Sequence, residues 1–341
     1  MTFGGAKRDR TADLLHAMQA LSQLSYSPVS VVHSGAQYRQ AARGCKGICE
    51  KKFTASLRYN QRFCNDRVGL PMSVGHYENF PVGSILLPRR MRRAVHAIYH
   101  FARYADDVAD EGDKLPTERL RELAHLREQL DVIGAGGIPA MPLMRKLAAV
   151  ISSHGLPLQP FYDLLSAFSQ DVVQTRYQNF AEVVDYCRRS ANPVGRLMLA
   201  LYGENDPRSL AMSDGICTAL QLINFLQDVG VDWNKGRIYL PLDDLDKFRI
   251  REGQIAGRDA TGLWRPMMLA QIERTRKMLQ AGAPLGKVLK GRLGLELRLI
   301  IMGGERILKK LHDSGGDVFR QRPVLTWRDW VYMLWRALRA R

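Results

Sequence analysis

Cysteine is scarce in this sequence, and the few cysteines form no framework. The chain has five cysteines in 341 residues. Cys45, Cys49 and Cys64 lie near one another, but no further Cys or His residue completes a zinc pattern. Cys187 and Cys217 fall inside apolar helical stretches, which predicts buried thiols. These features exclude a disulfide-rich secreted domain and indicate a reducing compartment.

Strand patterns and long apolar runs are also missing. Alternating apolar positions, Asn-Gly hairpin turns and internal repeats of fixed period do not occur. The charge-free run at 14–38 is interrupted throughout by polar side chains, so it predicts neither a membrane span nor a signal peptide. With 46% hydrophobic and 25% charged residues, the chain has the composition of a globular protein with a substantial core.

Negative charge is in the minority. Fifty Lys and Arg residues against 34 Asp and Glu residues give a formal net charge of +16. The basic residues are scattered and do not form one stripe with interleaved aromatic residues, which argues against nucleic-acid binding. An anionic membrane surface or a polyanionic substrate is the partner that this charge favours.

The chain divides by composition into three parts. Residues 1–71 are rich in Ser, Gln, Ala and Gly, and we expect them to be disordered or a misannotated extension, with Met72 as the true start. Helical periodicity then predicts a single all-α domain over 72–325, followed by an amphipathic helix at 326–341. The expected helices lie at 89–109, from Thr117 to the GAGG at 134–137, and at 139–153, 158–175, 180–202 (broken or kinked at Pro193), 207–234, 262–281 and 285–313.

A first aspartate stripe follows an apolar, aromatic-rich run. Tyr99, Arg103, Asp106 and Asp110 are spaced at i, i+4, i+7 and i+11 and therefore share one helix face. Like charges four residues apart repel in an isolated helix, so a bridging divalent cation would stabilise this pair. Mg²⁺ takes carboxylate oxygens and commonly completes its coordination with water and substrate phosphates.

A second stripe lies about 120 residues later, on one face of a helix that is otherwise apolar, and two basic residues follow it. Two aspartate pairs on separate helices, each with cationic neighbours, would bind a metal-bound diphosphate if they face each other. The members of this second stripe are Gln221, Asn224, Asp228 and Asp232, and the basic residues are Lys235 and Arg237.

A solvated helix face is the competing interpretation, because a single DxxxD motif on a helix is usually exposed. Glu111 and Asp113 fit that interpretation. Two such pairs, one of them accompanied by Gln and Asn within an apolar helix, favour a metal-diphosphate site instead.

The segments "AIYHFARYADDVADE" and "QLINFLQDVGVDWNKGRIYLP" resemble the two aspartate-rich signatures of the squalene/phytoene synthase family. The resemblance extends from about His76 to beyond residue 310. It implies the isoprenoid synthase fold, in which helices line a central apolar cavity and the two motifs occupy opposite walls. It also implies an enzyme that joins or rearranges isoprenyl diphosphates with Mg²⁺.

The resemblance assigns roles to individual residues. It implies catalytic roles for Asp106, Asp107, Asp110, Asp228 and Asp232, and metal binding by Asp106, Asp110, Asn224, Asp228 and Asp232. The implied substrate-binding residues are Tyr77, Asn79, Phe80, Tyr99, Arg103, Gln221, Lys235, Arg237 and Tyr239.

Two departures from the family pattern indicate a branch. "HYENFPVGSILLP" puts Tyr77 and Asn79 at the usual serine positions, and "YCRRSANPVG" puts Arg188 and Arg189 in the usual tyrosine region, which places a tyrosine-based step in doubt. Both variants resemble the bacterial hopanoid-pathway hydroxysqualene synthases, which ionise presqualene diphosphate and let water capture the rearranged cation. The two arginines either position diphosphate or water, or form ion pairs at the rim.

The branch implies Mg²⁺ as cofactor without NADPH, and the sequence contains no dinucleotide fingerprint. It also implies coupling to a presqualene diphosphate synthase and to a hydroxysqualene-reducing enzyme.

One alternative is condensation of two farnesyl or geranylgeranyl diphosphates to presqualene or prephytoene diphosphate. Another is a non-catalytic helical assembly factor of the same fold. The expected location is the cytoplasm, with peripheral contact to the inner face of the cytoplasmic membrane.

The last helix has an apolar face that predicts one of two placements. It either lies at a membrane surface, as its tryptophans and terminal arginines favour, or docks on the domain as a last structural helix. Thr326 is placed to cap its start. The face consists of Trp327, Trp330, Val331, Leu334, Trp335 and Leu338.

Overall fold

The structure, a computed structural model, describes residues 89–339, with side chains from 90 to 337. Within this range every regular element is a helix, which confirms the expected all-α class. The elements are α1 (Arg89–Asp110), α2 (Pro116–Gly134), α3 (Pro142–His154), α4 (Gln159–Val173), α5 (Phe180–Ser190), α6 (Asn192–Tyr202), α7 (Pro207–Asn234), α8 (Leu242–Lys247), α9 (Glu252–Ala256), α10 (Trp264–Gly282), α11 (Leu285–Val288), α12 (Gly291–Asp313) and α13 (Trp327–Arg339).

Local sequence signals explain where the functional helices begin and end. The Asp206 side chain accepts a hydrogen bond from the backbone N–H of Ser209 at 3.1 Å, and Pro207 occupies the first turn of α7. Two residues after α7, Gly236 adopts a left-handed φ of 76°, a conformation that glycine takes at little cost. This turn sends the chain back toward the site with Lys235 and Arg237 on it.

Two of the expected helices are divided in the structure. The 180–202 stretch breaks at Ala191, as Pro193 predicted, and gives α5 and α6. The expectation of one helix over 285–313 was wrong, because Leu289 is extended and Gly291 has a φ of 66°. The short helices α8 and α9 were not expected.

Helix α7 is central to the fold and packs against α5, α6, α10, α12 and smaller elements. Its close approach to α10 depends on Gly282, where an added Cβ would lie 2.5 Å from the Met212 carbonyl oxygen. Among the described residues, α7 is also the one helix long and apolar enough to cross a membrane, and 56% of its apolar window is buried inside the protein. A buried core helix meets the same criteria.

Two large hydrophobic clusters surround the helices that carry the aspartates. One cluster joins α1 to α2, α3 and α4 around Phe101, Leu126 and Phe161. The other joins α7 to α10, α12 and α13 around Trp264, Leu308 and Met333. Because α1 and α7 each pack one face into a cluster, their polar faces are held at fixed positions.

Candidate active site

The first aspartate stripe lies in the last two turns of α1. The Arg103 guanidinium is 3.3 Å from an Asp106 oxygen, 2.6 Å from Asp107 and 2.8 Å from Glu111. The helical spacings of 3, 4 and 8 residues bring these carboxylates to one cation. Arg103 therefore holds the start of the motif, and Asp107 lies at this ion pair beside the stripe.

Asp110 joins the first motif to the tail of the second. Its two oxygens accept hydrogen bonds from Arg237, from Nη2 at 2.6 Å and from Nη1 at 3.0 Å. The Lys235 ammonium is 3.5 Å away, and Arg237 also donates to the backbone oxygen of Asp171 at 2.9 Å. Two segments 127 residues apart in the chain thus meet at one carboxylate.

The second stripe lies near the C-terminal end of α7, and Asp228 has a partner that the sequence did not suggest. Arg322, in the segment between α12 and α13, donates to Asp228 from Nε at 2.5 Å and from Nη2 at 3.1 Å. The neighbouring Gln227 amide donates to the Pro323 carbonyl oxygen at 2.8 Å and fixes this segment on α7. Lys235, Arg237 and Arg322 thus surround the two aspartate pairs.

The electrostatics indicate that the two motifs face each other. Burial, and then the charge of Asp110, raises the pKa of Asp106 to about 7. Burial and Asp228 raise the pKa of Asp232 well above its usual value, and Asp110 acts in the same direction. Burial also disfavours the charged form of Asp110, but the hydrogen bond and charge of Arg237, together with those of Lys235, outweigh it and lower the pKa of Asp110. Asp106 and Asp232 therefore carry buried charge that the neighbouring cations do not fully compensate, whereas Asp110 is compensated by Arg237 and Lys235.

This donor set suits a hard divalent cation. Carboxylate oxygens with mutually raised pKa values would be stabilised by Mg²⁺, and Asn224 lies on the same face of α7 as Asp228. No group of three or more His, Cys, Asp or Glu side chains within 90–337 is gathered tightly enough to form a ready-made site. A bound ion would therefore take carboxylates from one motif and complete its coordination with water and a diphosphate.

A buried aspartate on α4 extends the site and was missed from the sequence. Asp171 is 8% exposed and accepts hydrogen bonds from the hydroxyls of Tyr186 at 2.7 Å and Tyr239 at 3.3 Å. Burial raises the pKa of Asp171 to about 6. The Tyr239 ring stacks on Phe225 with centroids 3.9 Å apart. An acidic residue on the apolar face of α4 was the signal that would have identified it.

The tyrosine cluster changes the interpretation of the "YCRRSANPVG" segment. Tyr186 is buried and bonded to Asp171, so the segment retains one tyrosine close to the aspartates. Arg188 pairs with Asp185 at 2.8 Å, and Arg189 contacts Asp185, Ser166 and Gln170. Of the two alternatives for these arginines, the structure supports ion pairing.

An apolar cavity adjoins these helices and encloses about 830 Å³, counting its open mouth. Val95 on α1 and Cys217 on α7 line it, each eleven residues before a metal-motif aspartate, Asp106 and Asp228 respectively. Eleven residues are about three helical turns, or about 16 Å, so the apolar wall continues the face of the carboxylates. The Cys217 thiol is buried, as predicted, and burial raises its pKa to about 12.

Of the remaining predicted site residues, two lie within the described part of the chain and three lie outside it. Tyr99 is half-buried on the aspartate face of α1, and Gln221 is half-buried on α7. Tyr77, Asn79 and Phe80 lie outside the described residues, as does the expected extension at 1–71.

Comparisons with known proteins agree with this geometry. The family model for squalene/phytoene synthase matches residues 74–329. A hydroxysqualene synthase from Zymomonas mobilis is 37% identical over 262 residues, covering 75% of this chain and 86% of that protein. A phytoene synthase from Arthrospira platensis is 33% identical over 280 residues, covering 77% of this chain and 89% of that protein.

A solved structure is similar to this chain at a comparable sequence identity. Squalene synthase HpnC from Alicyclobacillus acidocaldarius superposes with a TM-score of 0.66 at 36% identity, covering 70% of this chain and 90% of that one. Its helical isoprenoid synthase fold is the fold described above. With its two aspartate motifs joined at Asp110 and Arg237 and a family model matched over most of its length, this chain belongs to the squalene/phytoene synthase family of isoprenyl diphosphate-processing enzymes.

Proposed function

We propose that this protein is a hydroxysqualene synthase, which ionises presqualene diphosphate with Mg²⁺ and lets water capture the rearranged cation. The observation that carries the proposal is the meeting of the two aspartate motifs at Asp110 and Arg237, beside a cavity lined by apolar side chains. Relatives named hydroxysqualene synthase and the "YCRRSANPVG" segment support this branch.

Ionisation is the step that these residues serve. The bond between the substrate carbon and the diphosphate oxygen breaks, and its electron pair leaves with the diphosphate. Arg237, Lys235 and Arg322 would donate hydrogen bonds to the departing oxygens, and the carboxylates with which they pair, Asp110 and Asp228, would hold the metal. Mg²⁺ supplies charge neutralisation of the leaving group when bound.

The cavity serves the cation that remains. Its described lining is mostly aliphatic, with Ser213, Cys217 and Glu296 as the polar members, so few groups are available to trap a carbocation early. We place the entry of water at the hydrogen-bonded cluster of Asp171, Tyr186 and Tyr239, which adjoins Arg237. Capture of the cation by this water gives the hydroxyl group and releases a proton.

A second function has its own support. Phytoene synthases are among the relatives at similar identity, and they favour condensation of two farnesyl or geranylgeranyl diphosphates to presqualene or prephytoene diphosphate. A non-catalytic assembly factor has less support, because both aspartate pairs and their basic neighbours are present.

The test is incubation of purified protein and Mg²⁺ with presqualene, farnesyl or geranylgeranyl diphosphate separately, with products identified by mass spectrometry. We expect hydroxysqualene from presqualene diphosphate alone, with its hydroxyl oxygen taken from isotopically labelled water and no requirement for NADPH. Efficient condensation of farnesyl or geranylgeranyl diphosphate would favour the second function.

Variants connect the activity to the site. Asp106→Ala and Asp228→Ala should lower turnover by roughly a hundredfold to a thousandfold or more, with helix content near that of the parent protein. Asp113→Ala, an exposed aspartate just after α1, is the matched control and should retain activity. Full activity in the Asp106 or Asp228 variant would contradict the assignment.

A further inference from the structure

Helix α13 has two apolar faces, and the domain covers one of them. Trp330, Met333 and Ala337 are 3%, 0% and 2% exposed and belong to the hydrophobic cluster around α12. The sequence had grouped Trp330 with Trp327, Val331 and Trp335 in a single face. The structure separates them, since the last three are 67%, 52% and 51% exposed.

The exposed residues form a continuous stripe. Trp327, Val331 and Trp335 are spaced at i, i+4 and i+8, so they follow one another along the solvent side of α13. A helix that serves only to close a core needs one apolar face, and the Trp330 face already fulfils that need. Two tryptophans and a valine exposed in one line indicate a surface that binds an apolar partner, such as a protein or a membrane.

The docked face fixes the direction of this stripe. The Asp329 carboxylate is 2% exposed and receives hydrogen bonds from Arg306 and Lys310 of α12. Thr326, just before α13, donates to the same carboxylate from its backbone N–H and its hydroxyl, each at 2.8 Å. The helix is therefore held in one rotation, with its second apolar face outward.

The charge around the stripe identifies the partner. Arg328 and Arg336 are exposed on α13, and the Arg328 guanidinium lies 5.5 Å from the Trp327 ring centroid. Arg336 donates to the hydroxyl of Tyr332, which is itself 40% exposed. The acidic residue of the helix, Asp329, is buried. Interfacial helices have this arrangement, with aromatic residues entering the acyl boundary and arginines at anionic headgroups.

We propose that the stripe of Trp327, Val331 and Trp335 docks this protein on an anionic lipid bilayer, with Arg328 and Arg336 contacting the headgroups. The 13 residues of α13 span about 20 Å, which is shorter than a hydrocarbon core, so the helix lies in the interface and does not cross it. The proposal is independent of the reaction, because lipid binding can be measured without substrate.

The position of α13 relates this surface to the site. The segment between α12 and α13 carries Arg322 and Pro323, which contact Asp228 and Gln227 on α7. Four residues separate Arg322 from the first tryptophan of the stripe. A bilayer at α13 would therefore lie close to the residues that we propose bind the isoprenyl diphosphate substrate.

The experiment is flotation of the full chain with vesicles of phosphatidylcholine, alone or mixed with phosphatidylglycerol. We expect binding to the mixed vesicles that weakens with added salt. The variant Trp327→Ser/Trp335→Ser should reduce the partition coefficient at least about tenfold. Its matched control is Leu115→Ser/Ile138→Ser, which removes two exposed apolar side chains elsewhere, 63% and 85% exposed, and should bind as the parent does.

A charge variant gives a second measurement that does not alter the apolar stripe. Arg328→Glu/Arg336→Glu should lower binding to the mixed vesicles at least about tenfold. Arg121→Glu/Arg208→Glu, which reverses two exposed arginines outside α13, should have a much smaller effect. Thermal melting by circular dichroism should show the same transition for the parent and all four variants.

Several results would overturn the proposal. One is the absence of flotation with either vesicle, and another is parent-like flotation of both α13 variants. Light scattering tests the alternative that the stripe binds a second copy of the chain. If the tryptophan variant changes in mass from dimer to monomer without loss of flotation, the stripe serves self-association and not lipid binding. Turnover of detergent-dispersed substrate by the variants should match the parent, which separates this proposal from the proposed function.

Discussion

Asp329→Ala is the change for which the structure gives the clearest expected magnitude. The carboxylate is buried, and it accepts hydrogen bonds from Arg306 at 2.9 and 2.5 Å and from Lys310 at 2.5 Å. It also caps α13 through the backbone N–H of Thr326. Removal of the carboxylate therefore weakens both the helix start and its attachment to α12.

The cost follows from how much water the partners regain. Arg306 and Lys310 are 32% and 28% exposed, so they rehydrate in part when the carboxylate is lost. Each ion pair then contributes about 1 kcal/mol and the cap about 1 kcal/mol, which gives about 3 kcal/mol in all. Since about 1.4 kcal/mol corresponds to a factor of ten, the undocking equilibrium of α13 should shift about a hundredfold.

Hydrogen exchange of the α13 amides measures this shift directly. We expect protection in α13 to fall about a hundredfold in Asp329→Ala, while amides in α1 and α4 keep their protection. Asp313→Ala is the matched control, because that carboxylate pairs with Lys309 on the exposed surface and should leave exchange unchanged. Equal protection of α13 in parent and Asp329→Ala would refute the reasoning.

The pH dependence has a definite sign. Burial opposes the charge of Asp329, but the hydrogen bonds from Lys310, Thr326 and Arg306 outweigh it and hold its pKa well below the usual range. A carboxylate with a depressed folded-state pKa stabilises the protein above its unfolded pKa and loses that contribution as the pH falls. The difference between parent and Asp329→Ala should therefore be full at neutral pH and shrink in acid, below the ordinary range of aspartate.

Three further predictions concern the site and the chain start. In the metal-free protein, the contribution of Asp106 to stability should fall as the pH rises from about 4 towards about 7, because its folded-state pKa is raised. In EDTA, the difference in melting temperature between Asp106→Asn and the parent should therefore grow with pH, and it should shrink when Mg²⁺ and pyrophosphate are added. Asp171→Asn, which disturbs the hydrogen bonds of Tyr186 and Tyr239, should lower kcat at least about tenfold with little change in KM. A chain starting at Met72 should fold and turn over like the full chain, and loss of solubility or activity on that truncation would contradict the predicted extension.

For the C-terminal helix, the sequence pattern predicted the position of the helix but not which of its tryptophans is buried. Periodicity placed an amphipathic helix at 326–341, and the structure has α13 at Trp327–Arg339. The pattern grouped Trp330 with the exposed tryptophans, because an apolar residue carries no mark of which neighbour will cover it. Only the packing of α13 on α12 assigned Trp330 to the core. A chain shortened to end before α13 would also lose Asp329, so substitutions on the stripe test lipid binding more cleanly than deletion of the helix.

The sequence by itself determined the features that lie within a single helix. The spacing of Asp106 from Asp110, and of Asp228 from Asp232, follows from 3.6 residues per turn and required no knowledge of the fold. The contacts that complete the site join residues far apart in the chain: Arg237 reaches Asp110 across 127 residues, and Arg322 reaches Asp228 across 94. Only the packing of the helices decides such pairs, because no periodicity relates residues on separate elements.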